Sequence, residues 1–488
     1  MSISSPKRNT RPALASGTVK VFIAEALILP TGLVTAGFLT RTLGAENYGL
    51  FTLASVLIAW VEWTITSMFS RTTVKFIGEA DDWQPVATTV LRLYLGVSLG
   101  AAGLLCLLAA PIAQLLHEPV LTTYLRLFAL DIPLFALARA HQYILIGIGA
   151  FQARAATSAG RWISRLILIL VLVNLGLSVP GAILGSLGAS LVELVLGRLF
   201  VQPSFFHASA FPPRNLAGYA FPLFMFALSM RLYDKLDLFM IKILGSTAEQ
   251  AGWYGAAQNL AFVPSIFALS FSSLLLSTLS RLLREEALSS ATRMAQNSLR
   301  AVLGMLPFAA LAAGAASDIV RLVYGQTFLP SAQLLAILIF SSVALVMISV
   351  TTTILTAAGK PNWTFSLTSG MVPMAIVGNW MLVPRFGVLG AASVTLLCAV
   401  IGAFITLAAV YRLWKIVPPY QTFLRSLAVS GLMYAWAQVW PSPGGWLFLK
   451  LCLLSLCIPP LFLLLGEFNA HERTSTFAWL RAAFKRAL

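Results

Sequence analysis

Four ionisable side chains fall within seven residues of one apolar run: Arg231, Asp234, Lys235 and Asp237, inside residues 219–244. Arg231 stands twelve residues beyond Tyr219. That is roughly 18 Å along a helix, near the middle of a bilayer's hydrocarbon core. An ionised group at that depth costs about 2.5–3.5 kcal/mol on insertion scales, so it faces protein or a water-filled cavity. At helical spacing Arg231, Asp234 and Lys235 share one face, with Asp237 beside Asp234 one turn on. Two readings fit. The cluster is a self-neutralised packing contact, or, as adopted here, it lines a polar cavity inside a helical membrane protein. Guanidinium and ammonium groups in such a cavity suit phosphate oxygens, and arginine engages them bidentately.

Other polar groups lie in apolar runs. Arg41 and Lys242 sit where the first and seventh runs end, either at a cavity mouth or as anchors snorkelling to the interface. Glu25 and Glu62 lie within the first two runs, where a carboxylate either holds a coupling proton or cation or pairs with a neighbouring arginine. Asp131 has Arg126 as its partner in sequence, Glu193 is a lone carboxylate at mid-depth, and His141 reads as a solvated helix-end residue. The four cysteines lie in apolar runs with no CxxC pair, so they read as buried small hydrophobes without a metal or redox role.

The elements that position these groups follow from composition. Hydrophobic residues make up 58% of 488 and charged residues 10%, and the mean hydropathy is +0.85. A soluble domain carries about 25% charged residues, so this is an integral membrane protein. A net charge of +16 could suggest nucleic acid, but the basic residues are dispersed among apolar runs and form no basic domain. Runs long enough to span occur at about 19–39, 49–69, 86–110, 121–146, 162–179, 181–201, 217–244, 252–280, 297–316, 329–357, 363–383, 387–410, 421–440 and 445–466. The expected fold class is therefore all-α and polytopic, with about 14 transmembrane helices. Placing the N-terminus in the cytoplasm puts 25 of the 33 basic residues on the cytoplasmic side, as the positive-inside rule requires with both termini inside.

The chain also repeats. Arg41, Leu43-Gly44 and Tyr48-Gly49 are echoed by Lys242, Leu244-Gly245 and Tyr254-Gly255, with 206 residues between the two tyrosines. The turn at Gly181–Gly185 is echoed at Gly387–Gly390, again with an offset of 206. Six spans separate equivalent points, so the halves share an orientation and a pseudo-two-fold axis along the membrane normal is expected. The expected organisation is a cytoplasmic tail (1–18), an N-lobe (19–201), a linker (202–216), a C-lobe (217–412), two further spans (413–466) and a basic amphipathic tail (467–488). In that tail Phe477, Leu480, Phe484 and Leu488 share a face accompanied by Arg481, Lys485 and Arg486, which suits an anionic leaflet.

Two motif copies carry a resemblance. Arg41-x-Leu-Gly-x-x-x-Tyr-Gly49, and Asp237 followed by Leu244-Gly245 and Gly252-x-Tyr-x-x-Ala257, resemble the polysaccharide transporter group of the multidrug/oligosaccharidyl-lipid/polysaccharide exporter superfamily. That group includes Wzx-type O-antigen flippases, and the likeness runs from about residue 15 to 466. The resemblance implies a V-shaped, two-lobed fold with spans 1, 2, 7 and 8 lining a central cavity. It implies movement of an undecaprenyl-diphosphate-linked oligosaccharide from the cytoplasmic to the outer leaflet of a bacterial inner membrane by alternating access. Membrane lipids and polysaccharide polymerase or assembly proteins would be its partners, with no nucleic acid. No cofactor is expected beyond a proton or sodium gradient.

A cation-coupled multidrug exporter of the same superfamily is the nearest alternative. It would have about 12 spans and favour an acidic cavity. A membrane-embedded glycosyltransferase or polymerase would need a large extramembrane loop carrying catalytic carboxylates, and the internal loops here are short. Nor does the sequence hold a phosphate-cradling glycine loop, a Ser/His/Asp set or a metal-ligand cluster, so enzyme activity is not expected.

Overall fold

The computed structural model describes residues 27–204, 235–360, 369–416, 420–442 and 444–467, with isolated positions between 361 and 368. The described chain is helical and folds into two compact units, Met1–Gly252 and Trp253–Leu488. In the first, α1 (Ile28–Glu79), α2 (Trp83–Leu115), α3 (Leu121–Ala129), α4 (Asp131–Gly147), α5 (Phe151–Leu172) and α6 (Ser178–Phe200) precede α7 (Leu236–Ile243) and the start of α8 (Ala248–Ala261). The second continues with α9 (Val263–Arg284), α10 (Leu288–Leu303), α11 (Leu306–Gly314), α12 (Ala316–Val323) and α13 (Ser331–Ala357). It ends with α14 (Met371–Trp414), α15 (Tyr420–Val439) and α16 (Trp446–Leu464).

Eight helical stretches among the described residues are long and apolar enough to cross a membrane. Three of them run for 50, 50 and 44 residues. At 1.5 Å per residue the longest would reach about 75 Å against a hydrocarbon core of about 30 Å, so each must hold two spans. The backbone breaks where this demands it: at Gly44 (φ 75°) in α1, at Gly176 (φ 88°) and Ser178 (φ 48°) between α5 and α6, and at Gly387 (φ 57°) in α14. Read this way, the described helices follow the expected spans, the first being described from residue 27, the seventh from 235 and the eleventh continuously from 369. The first hairpin turn lies at Gly176–Ser178, five residues before the expected Gly181. Gly181 and Gly185 are instead inside α6, where a Cβ would press on Leu172 and Ile169 of α5. They permit close helix approach and do not form the turn.

Within the first unit, α4 packs against α1, α2 and α6, and α5 against α6. Small residues also let two backbones meet. Ala45-x-x-x-Gly49 of α1 crosses Ala248-x-x-x-Gly252 of α8 so closely that a Cβ on Gly49 would strike Ala248 O, and one on Gly252 would strike Ala45 O. Such small-xxx-small contacts are a usual way for membrane helices to approach, because lipid supplies no hydrophobic drive for association. In the second unit α15 and α16 pack on α11 through Leu311, Val429, Met433, Leu454 and Ile458. This packing is riveted at both ends. Glu467 accepts from Arg300 Nε at 3.0 Å, from Arg425 at 2.9 Å and from the Thr422 hydroxyl, and Lys450 donates to Asp318 at 3.0 Å.

Candidate functional site

Of the charged stretch in the seventh span, Arg231 and Asp234 lie outside the described residues, as does Glu25 in the first. Lys235 is half-buried just before α7. Asp237, in the first turn of α7, is 7% exposed, and its carboxylate accepts from the Leu238 backbone N–H at 2.8 Å. Two residues on, Phe239 stacks at a tilt on Trp60 of α1, with ring centroids 5.0 Å apart.

Lys242 is buried. Its Nζ donates to Glu118 Oε1 at 2.8 Å and to the Ser246 carbonyl at 2.9 Å. The expected snorkelling or mouth-lining lysine is thus an internal rivet, joining the end of α7 to the loop between α2 and α3. Burial explains the difference: an ammonium group out of water must be paired. Arg41 by contrast is exposed on α1.

The other charges converge inside the first unit. Glu62 of α1, 7% exposed, faces Asp131 and Arg139 of α4 and Arg161 of α5. Asp131, 2% exposed, faces Glu62, Ser190 of α6, and both Arg161 and Arg165. Its expected partner Arg126 is exposed one element away on α3. Glu193 of α6, fully buried, is not a lone carboxylate: Arg161 reaches it at 2.8 Å and Arg139 at 3.6 Å. Phe135 of α4 lies beneath both guanidinium groups, 4.4 Å from that of Arg161 and 4.8 Å from that of Arg139. Arg139 also donates to Gln142 at 2.7 Å, and Gln142 donates to Ser158 at 2.9 Å.

His141 is fully buried, with Nδ1 2.8 Å from the Leu137 carbonyl and Gly197 of α6 against its Cβ. It packs within a helix pair and is no solvated end residue. Cys452 is exposed, unlike the other three cysteines. Among the described residues no group of three or more His, Cys, Asp or Glu could hold a metal ion.

Arg139, Arg161 and Arg165 belong to the 25 basic residues that a cytoplasmic N-terminus puts on the cytoplasmic side, yet Arg161 is 7% exposed inside the helix pair. The pairing of Arg161 with Glu193 also has a sequence signal: a hairpin turning at residue 177 puts these two at one height, as it does Ile169 and Gly185. What the cluster can do follows from its parts. Three carboxyl groups and three guanidinium groups are held where water is scarce, so gain or loss of one proton there shifts the local balance strongly.

Comparison with known proteins follows on this geometry. A family described as "Polysaccharide biosynthesis protein" matches residues 38–333. The sequence is similar to the "Probable flippase AglR" of Haloferax volcanii, 23% identical over 430 residues, covering 86% of this chain and 88% of that one. Among solved structures the fold is similar to a "Lipid II flippase MurJ, inward closed conformation". The TM-score is 0.75 at 16% identity, covering 93% of this chain and 98% of that one. It is also similar to an inward-facing multidrug resistance MATE family transporter of the MOP superfamily, with a TM-score of 0.59 at 12% identity, covering 87% and 98%. These likenesses show a shared fold.

Proposed function

The chain belongs to the polysaccharide biosynthesis protein family, and from that premise we propose that it is a flippase. It moves an oligosaccharide carried on undecaprenyl diphosphate from the cytoplasmic to the outer leaflet by alternating access. The reading rests on the family, on a relative named as a probable flippase, and on a fold shared with a lipid II flippase. The observation that carries it is chemical. Charged side chains stand inside apolar spans, where each costs free energy unless it is paired, and such clusters mark the pathway of a polar cargo or coupling ion. A scaffold needs none of them.

In this reading Arg231 and Lys235 bind the diphosphate, Asp234 and Asp237 balance them, and Arg41 serves the outer mouth. Lys242 holds the fold around that mouth through Glu118. The protein sits in a bacterial inner membrane with both termini cytoplasmic, and a polymerase takes the delivered glycan. The transport is driven by a proton or sodium gradient.

The second reading, a multidrug exporter, is favoured by the likeness to a MATE transporter and by the buried carboxylates Glu62, Asp131 and Glu193. Cells lacking the protein separate the two. A flippase leaves lipid-linked glycan on the cytoplasmic leaflet, and neither Arg231→Ala nor Lys235→Ala at matched protein level relieves it. An exporter leaves glycan delivery normal and changes sensitivity to cationic drugs.

A further inference from the structure

Ser290, Arg293, Met294, Asn297 and Ala301 of α10, with Phe271 of α9, line a groove of about 430 Å³ within the second unit. Ser298 also lines it, but its hydroxyl already donates to the Met294 carbonyl at 2.8 Å. Ser290, Arg293 and Asn297 are exposed, and among the described residues none of their side chains has a hydrogen-bond or ion-pair partner. Yet α10 opens a helical stretch, Leu288–Gly314, that is long and apolar enough to cross a membrane. A guanidinium and a carboxamide entering a bilayer need partners that water no longer supplies.

The nearby charges leave Arg293 in surplus. Around the turn that joins the two helices, Arg281 and Arg284 stand against Glu285 and Glu286, and Arg300 is held by Glu467 at 3.0 Å. The missing partner of Arg293 is therefore an anion from outside the chain.

Position along the groove says which kind. Ser290 and Arg293 lie roughly 5 and 9 Å along α10 from Ala287, Asn297 roughly 15 Å and Ala301 roughly 21 Å. Phe271, thirteen residues before Arg284, stands roughly 20 Å up α9, level with Ala301. From the turn inward the groove thus offers a hydroxyl and a cation, then an amide, then an apolar wall. A glycerophospholipid presents a phosphate, then ester carbonyls, then an acyl chain, in the same order. Guanidinium and hydroxyl donors suit phosphate oxygens, and a carboxamide N–H can donate to an ester carbonyl. A polyprenyl phosphate has no ester carbonyl for Asn297, and a free phosphate leaves the apolar end of the groove bare.

We propose that this groove holds one glycerophospholipid. Arg293 and Ser290 take its phosphate, Asn297 an ester carbonyl, and one acyl chain lies along Met294, Ala301 and Phe271. The bound lipid ties α9 to α10 and leaves the choice of transported cargo untouched.

The purified full-length protein, stripped of lipid in detergent, is titrated with phosphatidylglycerol and followed by native mass spectrometry. One copy should bind ahead of the unspecific ladder. Arg293→Ala should weaken that copy about tenfold or more, the loss of a hydrogen bond to a charged group, while Arg293→Lys keeps part of the affinity. Asn297→Leu should weaken it several-fold. Both positions are exposed, so the variants' thermal midpoints without lipid should match the wild type. Equal affinity in wild type, Arg293→Ala and Asn297→Leu overturns the site. Undecaprenyl monophosphate binding as tightly, and unmoved by Asn297→Leu, overturns the glycerophospholipid in favour of a polyprenyl lipid. Displacement by glycerol phosphate at the same concentration reduces the groove to a phosphate site and overturns it as well. None of these readouts depends on glycan transport, so the flippase reading stands or falls separately.

Discussion

Truncating Glu193 would strand the Arg161 guanidinium in the interior of α4–α6, where its side chain is 9% exposed. Removing one partner of a buried pair costs about 3–5 kcal/mol, because the other charge stays buried. Glu193→Ala is therefore expected to lower the thermal midpoint sharply. The double variant Arg161→Met with Glu193→Leu should recover much of the loss, as apolar replacements of buried pairs often do. Equal losses in the single and double variants would mean that the pair does not govern stability. The same reasoning separates roles for Lys242. If it is a rivet to Glu118, the swapped pair Lys242→Glu with Glu118→Lys restores the transport that Lys242→Glu abolishes. If its charge binds cargo, the swap rescues nothing. That buried charges exist here was legible from Glu62, Asp131 and Glu193 standing in apolar runs. Who pairs with whom was not, since Glu118 and Lys242 are 124 residues apart and only packing joins them.

Turns and helix crossings set those pairings. Gly44 adopts φ 75° and ψ 175° with nothing within 4 Å of where a Cβ would stand, so Gly44→Ala meets backbone strain alone, about 1–3 kcal/mol. Gly49 is an ordinary helical residue whose Cβ would strike Ala248 O, so Gly49→Ala forces the helices apart, which for overpacking costs about 1–3 kcal/mol. The two differ in how the side chain matters: Gly44→Asn should lose about as much as Gly44→Ala, because φ 75° with ψ 175° is a backbone region that essentially only glycine occupies, whereas Gly49→Asn should be worse than Gly49→Ala. Denaturation midpoints of the four variants decide between strain and contact.

The clamp on α15 and α16 makes a pH prediction. Burial works against the charged form of Glu467, but hydrogen bonds from Thr422, Arg425 and Arg300 outweigh it and hold the carboxyl below its ordinary value. Its stabilisation is thus complete above the unfolded carboxylate's value of about 4.3 and is lost as pH falls through the lower folded value. The thermal-midpoint gap between wild type and Glu467→Gln should be constant near neutrality and close under acid conditions; a gap that widens on acidification would contradict the clamp. Apolar run length made the helices readable in advance. The hairpin turns at Gly176–Ser178, five residues before Gly181, since Pro180 and Gly181 resemble a turn in sequence but continue α6. With the turn misplaced, the register that brings Arg161 to Glu193 could not be seen.

At the scale of the whole molecule, composition and apolar run length point to the membrane class, and the two motif copies at Arg41–Gly49 and Asp237–Ala257 carry the resemblance to the family. The family match and the shared fold agree with that reading. The internal charge cluster of the first unit was beyond it, because six side chains from four helices converge only once those helices pack. The central claim is that this protein carries lipid-linked oligosaccharide across the bilayer. It is tested most directly by reconstituting the purified protein in vesicles loaded with a fluorescent undecaprenyl-diphosphate oligosaccharide, and following its exposure to an enzyme that cleaves the glycan only from outside. The account predicts exposure beyond half of the label with wild type, and none beyond the initial outer-leaflet share with Arg231→Ala. Label that stays put with wild-type protein, in vesicles where the same protein moves a cationic dye, would contradict it.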